Sequence, residues 1–192
     1  MFKPALLSAA LLILAACTNH TQIGSASLQP AYSPRDLAYA GAGRDMEVKV
    51  FGNPFSPGIP DPEFAEMMAE AMRGKHFGPA INFTTKPDDS ARPNYRVVML
   101  FSQETPQTGF RICERVAVGQ VPVTTESSGS IPVKMAFCNG RKLLTEVLAH
   151  LGGGPGVTVE SASQLVSNMT PVLLPNRNPV SSDPLDSDYT LF

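Results

Sequence analysis

Tryptophan is absent from this 192-residue chain, histidine and cysteine occur three times each, and neither sign of charge is in excess, with 15 Lys and Arg against 17 Asp and Glu. The near balance of charge excludes the basic footprint of a nucleic-acid binder. His20, His76 and His150 are scattered, with no H-E-x-x-H or Cys/His ligand spacing, so no metal or other cofactor is expected. There is no C-x-x-C pair, and no histidine lies near Cys113 or Cys138 in sequence to activate a thiol. No G-x-S-x-G elbow is present, and the run Gly152, Gly153, Gly154, Pro155, Gly156 lacks the Lys and Ser/Thr of a phosphate loop. With no catalytic constellation, the chain is expected not to be an enzyme. Long apolar runs are missing too: the stretch from Ala5 to Ile13 is too short to span a bilayer.

That stretch is nonetheless the most informative part of the chain. Lys3 supplies a short positive n-region, the apolar run follows, and the small residues of Leu14, Ala15, Ala16 lead into Cys17. These four residues resemble the lipobox of bacterial lipoproteins. The resemblance implies that residues 1–16 are a leader cut before Cys17, that the Cys17 thiol carries diacylglycerol, and that the new amine is acylated. Each buried methylene contributes about 0.8 kcal/mol, so two or three chains anchor a protein almost permanently. Thr18 stands where an Asp would favour inner-membrane retention in enterobacterial lipoproteins. By the same resemblance, the expected address is the periplasmic face of the outer membrane.

Composition then divides the mature chain. Residues 17–45 are rich in Ser, Ala, Gly and Pro without sustained periodicity and read as a flexible tether. At about 5 to 6 Å times the square root of the residue number, it would hold the domain on the order of 30 Å from the membrane. Residues 46–174 form the expected domain, and residues 175–192, with several prolines and Asp183, Asp186 and Asp188, read as a disordered tail.

Within the domain the pattern is α+β. Strands are expected at Met46–Phe51, Ala80–Thr85, Tyr95–Ser102, Gly109–Val118 and Ile131–Cys138. Phe64, Met67, Met68, Ala71 and Met72 give a helix over Asp61–Gly74 its apolar stripe. Leu143, Leu144, Val147, Leu148 and Leu151 predict a second helix, and a short third runs from Ser161 to Met169. The expected fold is a single small domain, a mostly antiparallel sheet of four to five strands with two to three helices on one face.

Two strand-like runs about a turn near residues 125 and 126 would bring Cys113 opposite Cys138, so a cross-strand disulfide is one reading and two buried, reduced thiols the other. The prolines of Asn53–Pro60 and the flanking Phe51 and Phe55 are the expected partner-contact surface. The methionine stripe admits a second use, as the wall of a site for a lipid or amphiphile, beside its ordinary use in a core.

In element order, residues 46–151 are similar to small envelope lipoproteins that serve as accessory subunits, including the transport-auxiliary lipoproteins of lipid ABC systems and the lipopolysaccharide-assembly lipoprotein. That similarity carries no motif beyond the lipobox and transfers no site residues. The expected function is a non-enzymatic binding or accessory subunit of an envelope transport or assembly system, held to the membrane by its N-terminal lipid and engaging an envelope protein partner. The alternative is a carrier with a lipid ligand.

Overall fold

A computed structural model describes residues 22–103, 109–121, 123–124, 129–153 and 157–180. Among the described residues the domain is α+β, with four helices and a seven-stranded mixed sheet. The strands are β1 (Gln22–Ile23), β2 (Ser27–Leu28), β3 (Asp45–Phe51), β4 (Asn82–Thr84), β5 (Tyr95–Phe101), β6 (Ile131–Asn139) and β7 (Lys142–Leu151). The helices are α1 (Pro34–Gly41), α2 (Asp61–Met72), α3 (Gly109–Ala117) and α4 (Val159–Leu173).

The sheet runs β1-β7-β6-β5-β3-β4, with β2 also paired to β7. β5, β6 and β7 are antiparallel neighbours, whereas β3 is parallel to both β4 and β5. The sheet is therefore larger than the expected four to five strands, and mixed. Parallel neighbours need a long crossover, and α2 supplies it between β3 and β4. Both margins end in strands of two or three residues, which offer little backbone for unwanted pairing.

The helices occupy both faces, not one. On the main face, Phe64, Met68 and Met72 of α2 and Leu165, Val166 and Met169 of α4 pack with Val97, Met99 and Phe101 of β5 and Met135 and Phe137 of β6. The Phe64 and Phe101 rings meet edge to face at 5.1 Å, a favourable quadrupole arrangement. On the other face, Ile112, Cys113 and Val116 of α3 cover Val98, Leu100, Ala136 and Leu143. A disulfide joins Cys113 to Cys138 with the Cα atoms 5.7 Å apart, linking a helix to a strand where a hairpin was expected.

Two elements change type. Gly109–Val118, read as a strand, is helical over its first nine residues because Ile112, Cys113 and Val116 share one helical stripe; Gly119, at φ 71°, follows it. The run 143–151, read as a helix, is β7. A bulge there opposes Phe137 to Thr145 and Cys138 to Leu143, leaving Leu144 as the extra residue and switching the parity of the strand. Leu143 consequently faces the α3 side, while Leu144, Val147, Ala149 and Leu151 face the main core. A strand whose alternation is broken once, and which carries the exposed Leu148 on its outer face, imitates helical spacing.

The described part of the expected tether is folded. β1 and β2 pair with β7, Ser33 caps α1 by accepting from the Arg35 amide, and Tyr32, Leu37 and Ala40 are buried in the main core. The start of the expected tail is held as well. Tyr32 donates its hydroxyl proton to the Pro175 carbonyl, and the Asn178 amide donates to the Gln29 and Tyr32 carbonyls at 2.9 and 2.8 Å. α4 runs to Leu173 through Pro171, past the expected stop at Met169; its start is fixed by a reciprocal capping box between Thr158 and Ser161.

Candidate functional site

The alternating strand directions gather the C-terminal ends of β3, β5 and β7 and the N-terminal end of β6 at one end of the sheet. The chain leaves β3 through Gly52, whose φ is 79° and where a Cβ would sit 2.0 Å from the Phe101 carbonyl oxygen; only glycine fits. Asn53, buried, then organises the proline-rich loop. Its Nδ2 donates to the Ile59 carbonyl at 2.7 Å and to the Asp61 carboxylate at 3.0 Å, and its Oδ1 accepts from the Phe55 amide at 3.0 Å. Ser102 does the same for the next loops: its Oγ accepts from the Thr124 amide at 2.9 Å, while its own amide donates to the Pro132 carbonyl at 3.2 Å. Gly153 lies against Gly129, where a Cβ would come within 2.5 Å of backbone. Between these loops lies a small cleft of about 200 Å³, with Pro54, Phe55, Ile131 and Val157 in its wall.

Both aromatic contact candidates stand at this end, on different sides. Phe51 is half-buried against the α3-side cluster, and Phe55 is half-buried against the main core with its ring 5.7 Å from Phe64. Cys17 lies outside the described residues, as does the turn about residues 125 and 126. Of the methionine stripe, Met68 and Met72 are fully buried, and Met67 lines a shallow cleft between α2 and α4. The space between this stripe and the sheet is filled by side chains, which favours the core use of the stripe.

A larger groove, of about 480 Å³, lies at the opposite end, between α1, the 77–79 turn and the segment after α4. Pro34, Leu37, Phe77, Pro79 and Pro175 make its wall mostly apolar, and Phe77 is 65% exposed. Sequence reasoning missed it because residues 34–38 were read as tether and 175–176 as tail; Phe77 beside Gly78 and Pro79 was the one local signal.

The charged groups form pairs more than a reaction centre. Thr85 donates to Glu66 at 2.7 Å and Arg73 reaches the same carboxylate at 3.1 Å, so hydrogen bonding from Thr85, with Arg73 adding to it, holds the Glu66 pKa below the usual range. Lys134 and Glu146 pair across β6 and β7 at 3.3 Å, with the lysine almost fully buried. Burial, then the nearby Asp36 carboxylate, raises the Tyr95 phenol. Among the described residues no three His, Cys, Asp or Glu side chains are grouped as metal ligands, and no helix is long and apolar enough to cross a membrane.

No protein-family model and no curated protein matches the chain. Among solved structures, a PelC dodecamer from Paraburkholderia phytofirmans in space group P6 aligns at a TM-score of 0.40 and 9% identity, covering 80% of this chain and 98% of that one. A PelC substitution variant from the same organism, a dodecamer in space group C2, aligns at 0.37 and 10% identity with the same coverage. Likenesses at these TM-scores carry no argument about activity or assembly.

Proposed function

We propose that this protein is a lipid-anchored bacterial envelope lipoprotein, facing the periplasm from the outer membrane, whose α+β domain is a non-enzymatic binding or accessory subunit of an envelope transport or assembly system. The observation that carries the reading is the run Leu14, Ala15, Ala16, Cys17 behind Lys3 and a short apolar stretch. A disulfide between Cys113 and Cys138 supports an oxidising compartment for the domain. The glycine-shaped, hydrogen-bonded loops around Phe55 form a rigid surface suited to a protein contact.

The test has two readouts. Metabolic labelling with palmitate in the native host should label the protein, and Cys17→Ser should abolish the label. A photo-crosslinking residue at Phe55 should capture one discrete envelope protein. Absence of label overturns the anchor, and labelled protein that captures nothing overturns the accessory role. The groove at Phe77 keeps an amphiphile-carrier reading as the alternative, because its volume and apolar wall suit a small ligand. Native mass spectrometry of the purified domain should then show a retained or exchangeable lipid.

A further inference from the structure

We infer that the loop end of the sheet, the end bearing Asn53–Ile59, Ser102 and Gly153, is held against the bilayer surface by a leash of only four residues. The inference rests on the lipid anchor proposed above, and its first ground is how close the first described strand stands to Cys17 in the chain. β1 starts at Gln22, so residues 18–21 alone separate it from Cys17. At about 3.3 to 3.6 Å per residue, the Cys17 and Gln22 Cα atoms stand no more than roughly 18 Å apart. This replaces the distance of some 30 Å that an unfolded 17–45 segment would have allowed.

The second ground is direction. Gln22 pairs with His150, one residue from the C-terminal end of β7, and His150 in turn pairs with Pro132 at the start of β6. Because β1 is antiparallel to β7, the chain enters β1 from beyond Leu151, the same end at which the Ser102 amide reaches the Pro132 carbonyl. The far end of β7, at Lys142, lies roughly 30 Å away at about 3.4 Å per residue.

The third ground is charge. None of the described residues 52–60, 102–103, 121, 123–124, 129–132 or 152–153 is charged, and the described charges beside them are the exposed acids Asp61 and Glu63 at the start of α2 and Glu160 at the start of α4; Glu104 and Glu126 lie in the intervening stretches outside the described residues. The opposite end carries Arg44, Asp45, Lys75, Lys86, Asp88, Arg92, Arg141 and Lys142. Loops that carry no charge of their own, with acidic groups only at the helix starts beside them, strip water from fewer ions on approaching headgroups than the opposite end would. With no Lys or Arg at the loop end, the approach is set by the leash and not by attraction to anionic lipid.

The absence of Trp from the chain makes single Trp probes clean reporters. Val123→Trp reports the loop end and Phe77→Trp the opposite end; both positions are exposed, at 41% and 65%. Ser56→Trp, also exposed, is the second loop-end probe should Val123→Trp fail to fold. Full-length lipidated protein is placed in vesicles of phosphatidylethanolamine and phosphatidylglycerol carrying a headgroup nitroxide quencher. Emission at residue 123 or 56 should be at least halved while emission at residue 77 is unchanged, and the contrast should survive high salt. A Gly/Ser spacer of about 20 residues before Gln22, adding about 25 Å of reach, should remove it. Equal quenching at both ends, stronger quenching at residue 77, or quenching that persists with the spacer would overturn the inference. Intact mass separates the two levels: an unlipidated Cys17 refutes the anchor itself, while a lipidated protein without the contrast refutes only the orientation.

Discussion

On the main face of the sheet, three helices bury a contiguous cluster that includes Phe64, Met68, Phe101, Phe137 and Met169; on the other, nine-residue α3 lays Ile112, Cys113 and Val116 over five buried strand residues and is tied down by a disulfide. The larger face has enough apolar area to hold its helices by burial, at about 25 cal/mol per Å². The smaller face does not, and its helix is held by a covalent link to Cys138 together with an ion pair between Glu114 and Arg141. That surface pair is more than half exposed on each side and adds little. A short helix on a thin core thus depends on chemistry where a longer one depends on packing.

The sharpest way to break the contrast is to damage each face by its own means. Phe64→Ala should cost about 3 to 5 kcal/mol, because Phe64 is 1% exposed and wedged between Phe55 and Phe101; urea denaturation would measure a fall of the whole transition. Reducing Cys113–Cys138, or replacing both cysteines by Ser, should cost about 3 kcal/mol for a separation of 25 residues. Unlike the first change, it should act locally: hydrogen exchange should show the amides of α3 losing protection while β5 and β6 keep theirs. Uniform loss across the sheet would mean the two faces do not differ in this way.

A smaller effect sharpens the picture of the main face. Thr145 is fully buried and donates to the Leu173 carbonyl at 2.6 Å, securing the end of α4 to β7. Thr145→Val should cost about 1 to 2 kcal/mol by stranding that carbonyl, read as a shift in the denaturation midpoint with an unchanged slope. The smallest effect lies on the outer side of α2. The Glu66 carboxyl is held below its ordinary value of 4.5 by Thr85 and Arg73, so its stabilisation is present above that pH and is lost as the pH falls through the lowered folded-state value. The side chain is 45% exposed, and solvent screening limits the loss in Glu66→Gln to below about 0.5 kcal/mol at neutral pH. Thermal melts of both proteins should converge in acid.

Legibility followed the length and regularity of each pattern. α2 was readable because twelve residues repeat one stripe, and β5 because Tyr95, Val97, Met99 and Phe101 alternate onto the main core. β7 was not, since the bulge at Leu144 breaks the alternation and Leu148, an exposed leucine on the outer face, completes a helix-like spacing with Leu144, Val147 and Leu151. β1 and β2, two residues each, are shorter than any period, and Tyr32 meets partners more than 100 positions away, Phe137 and Pro175. At the candidate site, Asn53 to Pro60 was legible as a proline-rich loop beside Phe51 and Phe55. Its closure by Asn53, and its neighbours Ser102 and Gly153, were not, because those contacts join strands that the sequence does not show to be adjacent.

The sequence by itself determined the lipobox pattern, the balance of charge, the α+β class and the long helix of Phe and Met residues, because each is a local pattern or a sum over residues. Only the tertiary structure decided that the sheet is mixed, that α3 lies opposite the other helices, that Cys113 meets Cys138 from a helix, and that Gln22 and Ile23 are already a strand of the sheet. These depend on which strands pair and which face each side chain meets, and such pairings are fixed by packing between residues far apart in the chain.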